Sequence, residues 1–174
     1  QWINLSEEQD IYLPRVKWLP NSKQLSYQIQ DRRQQKLQLK ITSVKELNTR
    51  VVLEEKSDFW LNLHDSLTFF KSSQRMVWLS ERDGFNHIYL YDLTMGTHVQ
   101  LTQGDWTVDK IEFVDETNRW VYFTGRMTHV TEKQLYRVDF TANQLEKVST
   151  HSGTHNVTFA ANHPIYIDRF SSVT

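Results

Sequence analysis

The chain repeats itself, and that limits its possible folds more than any other feature. Leu37-Gln38-Leu39, Ile88-Tyr89-Leu90 and Leu135-Tyr136-Arg137 are spaced by 51 and 47 residues, and Leu53, Leu101 and Val148 by 48 and 47. Leu25-Ser26-Tyr27, Met76-Val77-Trp78, Trp120-Val121-Tyr122 and Pro164-Ile165-Tyr166 form a third series, and Asp58-Phe59-Trp60 echoes Gly104-Asp105-Trp106. Each unit divides into about four short β-rich runs, which in the middle unit are 67–70, 76–80, 87–93 and 98–102. Asp83-Gly84 and Met95-Gly96 supply turn chemistry between them. Alternation with period two is common, and helical patterning is weak. Four strands per repeat of roughly 45–50 residues predict β-propeller blades. An accidental likeness within a plain β-sandwich would not hold four anchors to one period. The expectation is an all-β partial propeller with blades at 11–57, 65–105 and 108–150 and part of a fourth at 155–174, in one fragment spanning 1–174.

Composition narrows the function classes. A formal net charge of −1 implies no general attraction to nucleic acid or anionic lipid. The basic run Asp31-Arg32-Arg33-Gln34-Gln35-Lys36 is too short to change that, so no nucleic-acid partner is expected. No apolar run has the length of a membrane span. Aromatic residues make up 13% of the chain, which suits packed sheet faces. Cysteine is absent, which excludes disulfides, a thiolate nucleophile and thiolate metal sites. The chain starts with Gln1-Trp2 and ends at Val173-Thr174, and both ends read as cut ends of a longer protein. Asn4-Leu5-Ser6 and Asn156-Val157-Thr158 fit a glycosylation sequon, but two such matches are unsurprising by chance.

Several stretches together resemble the propeller of the dipeptidyl peptidase IV family of prolyl oligopeptidase-type serine peptidases. They are 10–18 (Asp10 to Trp18), Trp78-Leu79-Ser80-Glu81-Arg82-Asp83-Gly84 with His87-Ile88-Tyr89-Leu90-Tyr91, Leu101-Thr102-x-Gly104-Asp105-Trp106-x-Val108, and 166–172. The Ser-Glu-Arg-Asp-Gly stretch with its following His-x-Tyr-x-Tyr is the most specific of them. Missing cysteines place the chain nearer bacterial members than animal ones. The resemblance implies a propeller of about eight blades capping a C-terminal α/β-hydrolase domain that holds the Ser, Asp and His of the triad. It also implies a peptide substrate and an extracytoplasmic, periplasmic-type location. A nucleophile elbow needs Gly-x-Ser-x-Gly, and none of the five glycines flank a Ser at that spacing. No catalytic residue is expected within 1–174, and no cofactor or metal.

The family's propeller grips the substrate amino terminus with two adjacent glutamates. Glu7-Glu8 and Glu54-Glu55 both lack the expected context and read as solvated turn charges. Trp60-Leu61-Asn62 falls where the family has a loop that approaches the substrate's second-position side chain. Trp60 and Asn62 are therefore the candidate substrate-lining residues, with Leu63-His64 beside them. Trp106, the echo of Trp60, argues instead that Trp60 packs within a blade.

His151-x-x-x-His155 with His163 reads as exposed loop histidines, because zinc needs three or four converging ligands and an i, i+4 pair converges only on a helix. His155 also holds the repeat position of Trp106, which points to structure. Arg32, Arg82 and Arg126 recur at the turn before each third strand and could form inter-blade ion pairs. Two functions stay open. One is the non-catalytic, substrate-gating propeller of a serine exopeptidase. The other is a TolB-like protein-binding scaffold with no enzyme attached. An open arc of blades leaves apolar faces uncovered, so self-association is expected.

Overall fold

In the computed structural model, residues 2, 3, 5 and 10–172 are described. Among them there is no helix, and so none long and apolar enough to cross a membrane. The fold is all-β, with four antiparallel sheets. The chain divides into two compact units, 1–64 and 65–174.

The first unit is one sheet of β1 (Ile11–Tyr12), β2 (Val16–Trp18), β3 (Gln24–Asp31), β4 (Lys36–Ser43) and β5 (Thr49–Lys56). β1 and β2 both pair with β3, so together they form its first strand, broken at Leu13-Pro14-Arg15. Pro14 has no N–H to donate, which explains a break on this edge. Gln28 N–H still reaches Arg15 O at 2.9 Å across it.

The second unit holds three sheets. Sheet two is β6 (Thr68–Phe69), β7 (Arg75–Ser80), β8 (His87–Asp92) and β9 (Thr97–Gln100). Sheet three is β10 (Val108–Asp115), β11 (Trp120–Gly125), β12 (Gln134–Asp139) and β13 (Leu145–Lys147). Sheet four is the hairpin β14 (Thr154–Ala160) and β15 (His163–Ser171). These are meanders in chain order, as blades require.

Alternation along the strands divides the core. Val121 and Phe123 of β11, with Tyr136 and Val138 of β12, pack with Val77, Leu79, Ile88 and Leu90 of sheet two. Tyr122 and Leu135, one residue out of phase, pack with Val157 and Phe159 of sheet four. A strand buried on both faces in this way is a blade strand between two neighbours. β10 reaches both cores by a different means. Ile111 lies in the first core and Phe113 packs against the second, although residues two apart on a regular strand share a face. A register shift between them makes Glu112 the extra residue of a β-bulge and turns Phe113 over. There Phe113 stacks on Phe159, with ring centroids 5.2 Å apart and planes 3° from parallel.

The Ser-Glu-Arg-Asp-Gly motif is a structural joint. Glu81 to Gly84 forms a turn closed by Gly84 N–H on Glu81 O at 3.0 Å, inside a six-residue connection from Ser80 to His87. Arg82 lies over the Tyr89 ring at 4.4 Å and donates to Tyr91 Oη at 2.6 Å and Ser80 Oγ at 2.9 Å. The His-x-Tyr-x-Tyr spacing follows, since residues 87, 89 and 91 share one face of β8 while Ile88 and Leu90 enter the core.

Candidate functional site

Within each of the first three sheets, the loop that leaves the fourth strand is tied to the connection before the third strand by the same two bonds. In sheet two, Val108 N–H donates to Asn86 O at 2.8 Å and His87 Nε2 to Gly104 O at 2.9 Å. In sheet three, His155 N–H donates to Lys133 O at 2.8 Å and Gln134 Nε2 to Gly153 O at 3.1 Å. In the first unit, Leu61 N–H donates to Gln34 O at 2.7 Å and Gln35 Nε2 to Asp58 O at 2.9 Å. Gln35, His87 and Gln134 are thus one repeated position. Each is a polar side chain long enough to reach a carbonyl that backbone pairing leaves over.

The aromatic carried by these loops has two fates. Trp106 turns inward. It stacks on Phe123 at 6.0 Å and meets His87 edge-on at 5.1 Å. His155 is 1% exposed, with Nε2 3.0 Å from His151 O and Nδ1 2.6 Å from Asp168 Oδ2, and stacks on Phe170. The exposed-loop reading of His155 is therefore wrong and its repeat position gives the right answer, while His151 and His163 are exposed.

Trp60 differs from both. It is 64% exposed, beside Phe59 at 78%, on the loop after β5. The sequence expectation that it packs as Trp106 does is not met. Asn62 is exposed on the same loop, with Leu63 exposed and His64 half-buried. The loop is nevertheless well tied. Besides the repeated pair of bonds, the buried Gln30 donates from Nε2 to Leu61 O at 3.0 Å, Ser57 N–H reaches Gln35 O at 2.9 Å, and Phe59 N–H reaches Ser57 Oγ at 3.2 Å. A cleft of about 610 Å³ adjoins it, lined by Asp31, Gln35, Lys36, Lys56, Asp58 and Phe59.

Other sequence candidates resolve as structure. Glu54 and Glu55 lie within β5 and not in a turn, and strand alternation sends them to opposite faces, so they cannot close on one ammonium group. Gln38 donates to the Glu54 carboxylate at 2.6 Å, and Lys56 and Lys36 pair with it at 2.9 and 3.3 Å. Those contacts hold its carboxyl at about 2, well below the usual range. The pair Glu7-Glu8 lies outside the described residues, as do Asn4 and Ser6 of the first sequon. Asn156 of the second is exposed on β14, where it accepts from Lys133 Nζ at 2.8 Å.

The turn arginines bond within their own sheets. Arg32 reaches Asp10 at 3.4 Å and lies over Tyr12, Arg126 pairs with Asp109 at 3.3 Å, and Arg82 stacks on Tyr89. Among the described residues no three His, Cys, Asp or Glu side chains are grouped to hold a metal. Sequence reasoning missed Phe59, Gln30 and Gln35. The Gln, His, Gln series at 35, 87 and 134 keeps the repeat spacing and was the signal available for Gln35.

Comparison with known proteins places this arrangement. A family model described as the dipeptidyl peptidase IV (DPP IV) N-terminal region matches residues 1–174. Dipeptidyl peptidase 4 of Trichophyton equinum is 26% identical over 167 residues, covering 92% of this chain and 22% of that protein. A probable dipeptidyl peptidase 4 of Emericella nidulans is 25% identical, covering 95% of the chain and 23% of its own length. The crystal structure of Porphyromonas gingivalis dipeptidyl peptidase 4 superposes with a TM-score of 0.89 at 27% identity, over 98% of this chain and 24% of that one. The chain thus spans about a quarter of the proteins it matches. It belongs to the dipeptidyl peptidase IV N-terminal region family, as a β-propeller portion of that region.

Proposed function

We propose that this chain is the substrate-gating part of a dipeptidyl peptidase 4-type serine exopeptidase, with four successive stretches of one ring at 11–57, 65–105, 108–150 and, in part, 155–174. The observation that carries the reading is a family match running through every residue while the chain holds no Gly-x-Ser-x-Gly. In this reading the acyl-transfer chemistry belongs to a hydrolase domain of the parent protein, which sits outside the cell membrane. That chemistry removes dipeptides with Pro or Ala in second position. The propeller restricts access to short or unfolded peptides and presents Trp60 and Asn62 along their path. An exposed aromatic pair on a loop held by five hydrogen bonds is consistent with a contact surface, since mobile loops are not tied in this way.

Two measurements test this. The codons following Thr174 should encode Gly-x-Ser-x-Gly and then, further on, Asp and His; a frame closing within one or two more blades sinks the peptidase reading. The purified 174-residue polypeptide should leave an X-Pro-amide uncleaved. Hydrolysis that co-purifies with it would mean that the chain carries chemistry of its own.

A further inference from the structure

We propose that Gln30 and Gln35 are positioning residues, which hold the 57–64 loop so that Phe59 and Trp60 face outward as a preformed peptide-contact surface. This rests on the substrate-facing reading of the loop given above.

The same stitch occurs three times, and twice it delivers its ring into a packed environment. Trp106 stacks in the core of the second unit, and His155 is fully buried. Among the described residues, only in the first unit does a stitched loop put its aromatic in solvent. A second side chain joins the stitch in sheet two as well, where Asn86 Nδ2 donates to Val108 O at 2.7 Å, but in the first unit the added side chain is fully buried. That side chain is Gln30, 1% exposed, whose Nε2 reaches Leu61 O at 3.0 Å. A buried amide spent on a loop carbonyl has a cost in desolvation that packing alone does not require. Trp106 is kept in place by the rings around it. Trp60 has little cover, so its position depends on the backbone beneath it, and Gln30, Gln34 and Gln35 hold that backbone at Asp58 and Leu61. A fixed aromatic loses less freedom when a ligand binds than a mobile one, and stacking surfaces of this kind suit extended peptides carrying proline.

The test uses the 174-residue chain labelled with 5-fluorotryptophan, with the Trp60 resonance assigned by Trp60→Phe. Three variants are compared, Gln30→Leu, Gln35→Leu and Gln35→His, the last because His87 performs the same bond in sheet two. The probe is an Ala-Pro-Ala tripeptide titrated to millimolar concentration. In the parent chain Trp60 should give one sharp resonance that moves with added peptide. Gln35→Leu and Gln30→Leu should shift it toward the free-tryptophan position and weaken peptide binding about tenfold, with the other five tryptophan resonances unmoved. Gln35→His should restore both.

An unchanged Trp60 resonance in the two Leu variants overturns the positioning role, as does failure of Gln35→His to rescue. If Gln30→Leu does not fold, Gln35→Leu at its half-buried surface site decides the matter alone. If the variants displace Trp60 but peptide never perturbs it in the parent chain, the positioning stands and the substrate-facing reading fails.

Discussion

His87 offers the sharpest test of the repeated stitch. It is fully buried. Its Nε2 faces Gly104 O at 2.9 Å, and a carbonyl can only accept, so Nε2 carries the proton. Nδ1 then accepts from Thr102 Oγ1 at 3.1 Å, and that hydroxyl in turn accepts from Ile88 N–H at 3.0 Å. His87→Ala removes two hydrogen bonds at about 1 kcal/mol each and an edge-on contact with Trp106 of about 1 kcal/mol. It also leaves a ring-sized void, for about 4–5 kcal/mol in all. For a unit of this size that corresponds to a melting temperature about 15 °C lower. His87→Gln should behave differently. Gln134 holds the same place in sheet three, donating to Gly153 O and accepting from Ser149 Oγ, so Gln at 87 can make both bonds and should cost about 1–2 kcal/mol. Urea and thermal unfolding followed by tryptophan fluorescence would measure all three proteins. If His87→Gln is as damaging as His87→Ala, the stitch is not the source of the stability and the equivalence of 35, 87 and 134 is wrong.

Other outcomes follow from the same contacts. Glu116, on the turn after β10, accepts from Lys71 N–H at 2.7 Å, Ser72 N–H at 2.9 Å and the Ser72 hydroxyl, joining sheets two and three; Glu116→Ala should lower stability by about 2–3 kcal/mol in a urea titration. Burial pushes the Glu116 carboxyl up, but those donors outweigh it and hold it below its usual value, as Gln38 and two lysines do for Glu54. Both groups therefore stabilise the fold fully above the ordinary carboxylate pKa of 4.5 and lose that contribution as pH falls below it, for Glu54 toward about 2. Water screening keeps the Glu54 share to about 1 kcal/mol, and Glu54→Gln should flatten the acid limb of the stability curve by that much. Gly153 has φ +123° and a Cβ there would lie 2.2 Å from Ser171 O, whereas Gly84 at +102° has open space; Gly153→Ala should destabilise by about 3 kcal/mol or more and Gly84→Ala by about 1, by thermal melts. Ile165 and Ile167 are 69% and 70% exposed on β15, whose pairing among the described residues is with β14 alone, so light scattering should show association at high concentration; a monodisperse, heat-resistant monomer would contradict this.

The repeat was legible because apolar alternation and turn residues recur at one period, and strand register is set by both. What the repeat conveys is backbone placement, and that explains where reading the sequence succeeded and failed. It located His155 correctly by its echo of Trp106, against the local impression of a polar loop. It misjudged Trp60 by the same echo, because a repeat does not say whether a neighbour covers the side chain. Glu54-Glu55 looked like a turn because charge was given more weight than the Thr49–Lys56 strand it belongs to. The arginines looked available for neighbouring blades because linear sequence hides that a hairpin brings Tyr89 under Arg82. The Glu112 bulge left no mark in composition, and it alone sends Ile111 and Phe113 to different cores.

A repeated stitch also explains how one sheet could acquire a contact surface without disturbing the others. In each of the first three sheets the loop after the fourth strand is fixed by a main-chain donor and one amide or imidazole, and neither bond depends on the identity of the aromatic that the loop carries. The ring is therefore free to vary in role. Where it meets Phe123, Tyr136 and His87 it adds to the core. Where the stitch is reinforced from below, by Gln30, the ring can leave the core without the loop leaving the sheet. Function at 57–64 would then depend on the polar residues beneath the loop as much as on the aromatics above it. Changing Trp60 should remove contact with a peptide, and changing Gln30 or Gln35 should remove the order that makes the contact possible.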